Sequence, residues 1–168
     1  MKSLLLFLLT IPFLSFSQSS LDKMLTISLA DSNRAKITVS GKMFEMISYA
    51  APDTLLTEDV LKLSKSIHGM KAYTNLSVST GKRMMEGVAK NKQFEEYARY
   101  SQKGNEMALF IAEKDGVVKE VLMFYTTEKN ANVASVYGEL DLKLIGNLYK
   151  LLPMHGFNTK APADVKKK

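Results

Sequence analysis

Two histidines, ten methionines and a few adjacent carboxylates are the side chains here with the chemistry to bind a metal or carry a reaction. His68 and His155 stand alone: neither has a ligand partner four residues away, and a chain without cysteine offers no thiolate to join them. A zinc site needs three or four such donors converging, so both would have to meet in space with carboxylates. His155 follows Pro153 and precedes Gly156, which suits a turn or cap better. Clustered thioethers hold Cu(I), and Met43, Met46 and the adjacent Met84 and Met85 are the clusters at hand. They fall on the apolar stripes of expected helices, where methionine usually fills irregular gaps, so core packing is the expectation. No metal and no cofactor are expected.

Nucleophile patterns fare no better. Ser79-Thr80-Gly81-Lys82 matches the Ser-x-x-Lys of penicillin-binding enzymes, but the companion Ser-Asp-Asn and Lys-Thr-Gly elements are missing. Ser20-Leu21-Asp22-Lys23 matches equally well, which shows how little the pattern says. Gly81-Lys82 fails as a phosphate loop, because Arg83 replaces the required Ser/Thr and Leu76 stands at the first glycine position. The carboxylate pairs Glu58-Asp59 and Glu95-Glu96 are sequence neighbours, which does not aim them into one cleft as glycoside hydrolysis requires. Helix capping and solvation explain them. The catalytic residues, if the chain has any, are therefore unknown. Asp53-Thr54-Leu55 fits a pattern that some Gram-negative bacteria O-glycosylate, with Thr54 as acceptor; the same tripeptide also reads as a turn leading into a helix. Asn75-Leu76-Ser77 is a sequon placed in an expected strand, where it carries no meaning.

The amino-terminal residues say where such a molecule works. Lys2 is followed by an apolar run, Leu4 to Phe16, interrupted only by Thr10, Pro12 and Ser15. Ser15 and Ser17 are small residues at −3 and −1 of a cut between Ser17 and Gln18. This is the layout of a secretory signal peptide; thirteen residues with a proline fall short of the roughly 20 needed to span a bilayer. Residues 1–17 are thus an expected leader, 18–157 one folded domain and 158–168 a disordered basic tail. The location expected is periplasmic or secreted, with no stable membrane anchor. Loss of Lys2 lowers the formal charge from +6 to +5. Without disulfides, stability rests on burial, and a chain of this length buries close to 70% of its unfolded surface.

The charge is uneven. Segment 82–103 sets Lys82, Arg83, Lys90, Lys92, Arg99 and Lys103 against Glu86, Glu95 and Glu96. A solvated basic helix explains this; the sharper alternative is weak contact with an anionic surface through Lys82, Arg83, Lys90 and Lys92. Nucleic acid is not an expected partner of an exported chain, and interleaved stacking aromatics are sparse.

The elements that position these residues follow from periodicity. Leu21, Leu25 and Leu29 space a short helix over 19–30. Residues 35–40 alternate as a half-buried strand, and Met43, Phe44, Met46, Ile47 and Ala50 follow helical spacing. Thr57 caps a helix over 57–67 with buried Val60, Leu63 and Ile67. A strand is read over 70–78, then a helix carrying Met84, Met85 and Val88 that ends near Lys90. Residues 95–102 are open between strand and continued helix, with the turn at Lys103-Gly104-Asn105 favouring a strand hairpinned to 106–114. Asp115-Gly116 is a strong hairpin signal before a strand over 117–127. A last strand covers 132–138, and Asp141 caps a final helix with Leu144, Ile145, Leu148, Leu151 and Leu152 as its stripe. The expectation is an α+β fold: a two-layer sandwich whose mostly antiparallel sheet is covered by helices on one face.

Val39-Ser40-Gly41-Lys42-Met43-Phe44, Ile67-His68-Gly69-Met70-Lys71, Lys119-Glu120-Val121-Leu122 and Val136-Tyr137-Gly138-Glu139-Leu140-Asp141 occur in an order that resembles domain-of-unknown-function family 4252, from about residue 20 to 152. The resemblance implies a small exported or lipid-anchored protein of Gram-negative bacteria with an α+β domain, and transfers no catalytic residue. The anchor cysteine of its lipoprotein members is absent. The functional expectation is a non-catalytic module binding an envelope protein or small ligand. The alternatives are a small hydrolase of an envelope polymer and a peripheral membrane-binding protein.

Overall fold

The computed structural model describes residues 21, 34–50 and 57–145. The leader with its Ser17–Gln18 cut, Thr54, His155 and the basic tail lie outside the described residues. The elements run β1 (Ala35–Ser40), α1 (Gly41–Ala50), α2 (Glu58–Ser66), β2 (Ile67–Leu76), α3 (Val78–Ala89), β3 (Glu95–Gln102), β4 (Asn105–Lys114), β5 (Val117–Thr126), β6 (Ala131–Leu140) and α4 (Leu142–Ile145). The fold is α+β. All six strands form one antiparallel sheet in the order β1-β2-β6-β5-β4-β3.

Local chemistry sets most boundaries. Thr57 Oγ1 accepts from the Val60 amide at 3.3 Å and Ser77 Oγ from the Thr80 amide at 3.2 Å, each satisfying an amide that the helix start leaves open. Asp141 Oδ1 does the same for Lys143 at 2.8 Å. Residues 95–102 are strand, because the next two residues turn the chain back. Lys103 (φ 48°) and Gly104 (φ 78°) are both left-handed, as are Asp115 (φ 55°) and Gly116 (φ 75°). Two such residues in succession match the twist of the strands they join. The β5–β6 turn is held instead by Thr127, whose Oγ1 accepts from the amides of Lys129 and Asn130 at 3.2 and 3.1 Å. The strand expected over 70–78 begins earlier, at Ile67, and ends at Leu76, since Ser77 is the cap of α3.

Helices cover both faces of this sheet, which corrects the expected one-sided cover. Strand neighbours point to opposite faces, and on β5 Leu122 and Phe124 enter one core while Val121 joins the other. The first core sets Phe110, Phe124, Tyr73 and Val133 beneath Met84, Met85 and Val88 of α3, with the helical Leu21 alongside. Phe110 and Phe124 meet edge to face at 5.8 Å. The second gathers Met70, Ile111, Val121 and Val136 under Phe44 of α1, Val60 and Leu63 of α2 and Ile145 of α4. The unbroken apolar runs Met107–Ala112 and Val121–Phe124 are the marks of strands buried on both sides. Gly81 lets α3 lie directly on the sheet: a Cβ there would stand 2.2 Å from that of Ala131 on β6.

Candidate functional site

The outer surface of α1 is the site the fold leaves most conspicuously open. Phe44 sends its ring into the second core, and Ser48 is buried against α2, where Ser64 Oγ donates to Ser48 Oγ at 3.3 Å. Ser48 Oγ in turn donates to Glu45 O at 2.7 Å, and the single Ser64 hydroxyl hydrogen is shared with Leu61 O at 2.9 Å. The helix turns about 100° per residue, so Phe44 and Ser48 inward put Met46 nearly opposite. Met43, Met46 and Tyr49 are 49%, 60% and 69% exposed. Spaced three apart, they form one apolar ridge along the outside of the helix. The expectation that Met43 and Met46 pack in the core is therefore corrected. Met84 and Met85 do pack there.

The two charges of α1 neutralise one another. Lys42 Nζ lies 2.7 Å from Glu45 Oε2, and that hydrogen bond, with the charge behind it, pushes the Lys42 ammonium above its ordinary value. On α2, Lys62 and Glu58 pair at 2.8 Å; the bond lowers the Glu58 carboxyl and raises the Lys62 ammonium.

Lys82, Arg83 and Lys90 are exposed and share one outward arc of α3, with Lys92 exposed in the turn beyond. Glu86 stands four residues from both Lys82 and Lys90, in the middle of the arc. Arg83 Nη2 donates to Thr80 Oγ1 at 3.5 Å. Two further members of the basic segment part company with this group. Lys103 sits in the β3–β4 turn, and Arg99 is held on β3 between two carboxylates. Its guanidinium donates to Glu96 at 2.6 and 2.9 Å and to Glu106, and Nη1 lies 3.7 Å from Met85 Sδ. The bond to Glu96 raises the Arg99 guanidinium above its ordinary value against the opposing effect of burial, while Arg99 holds the Glu96 carboxyl below the carboxylate range. Sequence reading counted these charges without pairing them; the register that sets Ser101 opposite Glu106 brings them together.

The remaining candidates disperse. Glu58 and Asp59 are exposed in the first turn of α2. Glu95 and Glu96 are consecutive on β3 and point to opposite faces. His68 is exposed on β2. Asn75 closes β2 with φ 60°, its amide donating to Asn132 Oδ1 at 3.2 Å. Ser79, of the Ser-x-x-Lys match, has its hydroxyl 3.1 Å from that of the cap Ser77. Glu120 is buried in the sheet, and Ser135 Oγ donates to it at 2.5 Å. Among the described residues no three His, Asp or Glu side chains gather as a metal site, and no helix is long and apolar enough to cross a membrane.

A family model described as Domain of unknown function (DUF4252) matches residues 30–148. No curated protein matches the chain.

Proposed function

This chain belongs to the DUF4252 family, and on that premise we propose that it is an exported envelope protein acting as a non-catalytic, partner-binding module. Its residues 1–17 are removed between Ser17 and Gln18, and it works in the periplasm or outside the cell. The observation that carries the binding role is the ridge of Met43, Met46 and Tyr49. A soluble fold gains nothing by presenting three large apolar side chains in one row unless something covers them. Methionine adapts to irregular surfaces, and tyrosine offers a rigid apolar face with a polar tip. The ridge is convex, which fits the groove of a protein better than a small ligand. Its flanking charges are paired, so binding through it is driven by apolar contact and changes little with salt.

A photoreactive residue in place of Met46 tests this in growing cells. One protein should be captured from the envelope at that position and not at Lys82, by a chain whose amino terminus is Gln18. Equal capture at both positions, or an intact leader on the recovered chain, defeats the reading.

The shared arc of Lys82, Arg83 and Lys90, with Lys92 beyond it, supports a weaker second contact, with an anionic surface. Vesicles rich in anionic lipid should then sediment the protein at low salt and release it at high salt. Binding that survives neutralising all four side chains ends this reading. Thr54 is the proposed O-glycosylation site, checked by comparing the intact mass of the purified protein with that of Thr54→Ala.

A further inference from the structure

The sheet ends in two strands of opposite character, and the difference points to a second copy of this chain. β3 is guarded. It carries Glu95, Glu96 and Arg99, and a register shift between Glu96 and Ala98 breaks its ladder with an extra residue. Charge and bulges are the standard means by which an edge strand avoids pairing with another chain. β1 has neither. It pairs with β2 without a break from Ala35↔Thr74 to Ser40↔Gly69. Its single charge, Lys36, sits over the Tyr73 ring of the neighbouring strand at 5.7 Å, drawn inward from the edge. Ile37, at mid-strand, is 39% exposed. Among the described residues no strand lies on the far side of β1.

We propose that β1 pairs antiparallel with β1 of a second copy, joining two six-stranded sheets into one about a two-fold axis at Ile37. Residues opposite one another in an antiparallel pair share a face, so only registers that pair odd with odd and even with even are open. An axis at Lys36 sets two like charges opposite each other and is disfavoured. An axis at Ile37 sets Ile37 against its copy, Ala35 against Val39 and Lys36 against Thr38, which centres the seam on an apolar pair, whereas an axis at Thr38 centres it on two hydroxyls.

A second copy fits this edge better than a foreign extended peptide because of what lies above it. Ile37 pairs with Ala72, on the face that α1 covers, and α1 rests on β1 and β2. Ser48 marks the side of α1 that meets α2. Met43 and Ile47, one turn apart, therefore lie on the side away from α2, and both retain exposed surface. Two-fold pairing brings two such overhangs together above the seam, whereas a lone peptide strand supplies none. The seam is distinct from the binding reading above, sharing only Met43 with the ridge.

The chain has no cysteine, so Ile37→Cys introduces a single thiol at the proposed axis. Mild oxidation of the protein purified from cells should convert Ile37→Cys to a covalent dimer and leave Tyr97→Cys, on the opposite edge, monomeric. Sedimentation velocity should show a dimer that Ile37→Lys weakens by about tenfold or more and that Tyr97→Lys leaves intact, with the far-ultraviolet dichroism of both unchanged. A monomer at every concentration overturns the proposal. So does crosslinking at position 97 equal to that at 37, or a dimer that Tyr97→Lys breaks.

Discussion

Helices α1 and α3 each carry a pair of methionines, and the fold treats the two pairs oppositely. On α3, Met84 and Met85 are 5% and 6% exposed, closing the first core over Phe110 and Phe124. On α1, Met43 and Met46 point to solvent, while Phe44 and a serine take the inward side. The difference lies in the neighbours. α3 faces the sheet, has polar and charged residues on its outward arc, and so has one apolar side to bury. α1 has apolar residues on both sides, and must also let α2 approach closely, which the small Ser48 and Ser64 allow. Where a helix has two apolar stripes, packing against its neighbours selects between them, and the rejected stripe becomes surface available for binding.

The sharpest way to break this contrast is truncation. Met84→Ala should cost about 3 kcal/mol, through lost burial and the cavity left behind. Met46→Ala should cost about 0.5 kcal/mol or less, as at other exposed positions. Urea denaturation of the two variants measures both, and similar costs would erase the distinction. Hydrogen peroxide offers a second readout, with Met43 and Met46 oxidised well before Met84 and Met85. Next in size, Gly81→Ala forces α3 off β6 and should cost about 2 kcal/mol. Gly87→Ala, on the same helix with nothing within 4 Å of an added Cβ, should instead stabilise by up to about 1 kcal/mol. Thermal melts of this pair distinguish contact with the sheet from helix propensity.

The smallest effect concerns acid. Arg99 holds Glu96 below the ordinary carboxylate range, so the pair's contribution is present at neutral pH and is lost as pH falls through that lowered value. Both side chains are more than a third exposed, which keeps the effect modest. Arg99→Gln should melt slightly below the wild type at neutral pH, with the gap narrowing on acidification. A gap that widens in acid contradicts the assignment.

Most of the β-meander was legible, because its signals are local. Asp115-Gly116 and Lys103-Gly104 announce their hairpins by residue type, and Thr57 and Asp141 cap where their side chains suggest. What could not be read depends on packing between distant segments. β2 lies beside β6, far along the chain, and nothing near either strand announces the pairing. Ile67 satisfies the stripe of the preceding helix as well as it starts a strand, so periodicity alone does not place the boundary at Ile67. Burial on both faces is written in the apolar runs of β4 and β5, while the turns that delimit these strands say nothing of it. At the candidate site, the exposure of Lys82, Arg83 and Lys90 followed from the amphipathic pattern of α3. The ridge on α1 did not, since periodicity counts apolar residues without saying which of them the neighbours will admit.

The strand order has a consequence for how the molecule assembles. Every pairing in the sheet joins strands adjacent in chain order except that of β2 with β6. Residues 95–140 can therefore zip up hairpin by hairpin, at small loop-closure cost. The earlier β1–β2 unit with its helices clasps on through one long-range joint. That joint is tight: a Cβ on Gly138 would meet the Ser66 carbonyl oxygen at 2.1 Å. Amides of β4 and β5 should gain protection from exchange during refolding before those of β2, so the latch is the last part of the barrier rather than its first.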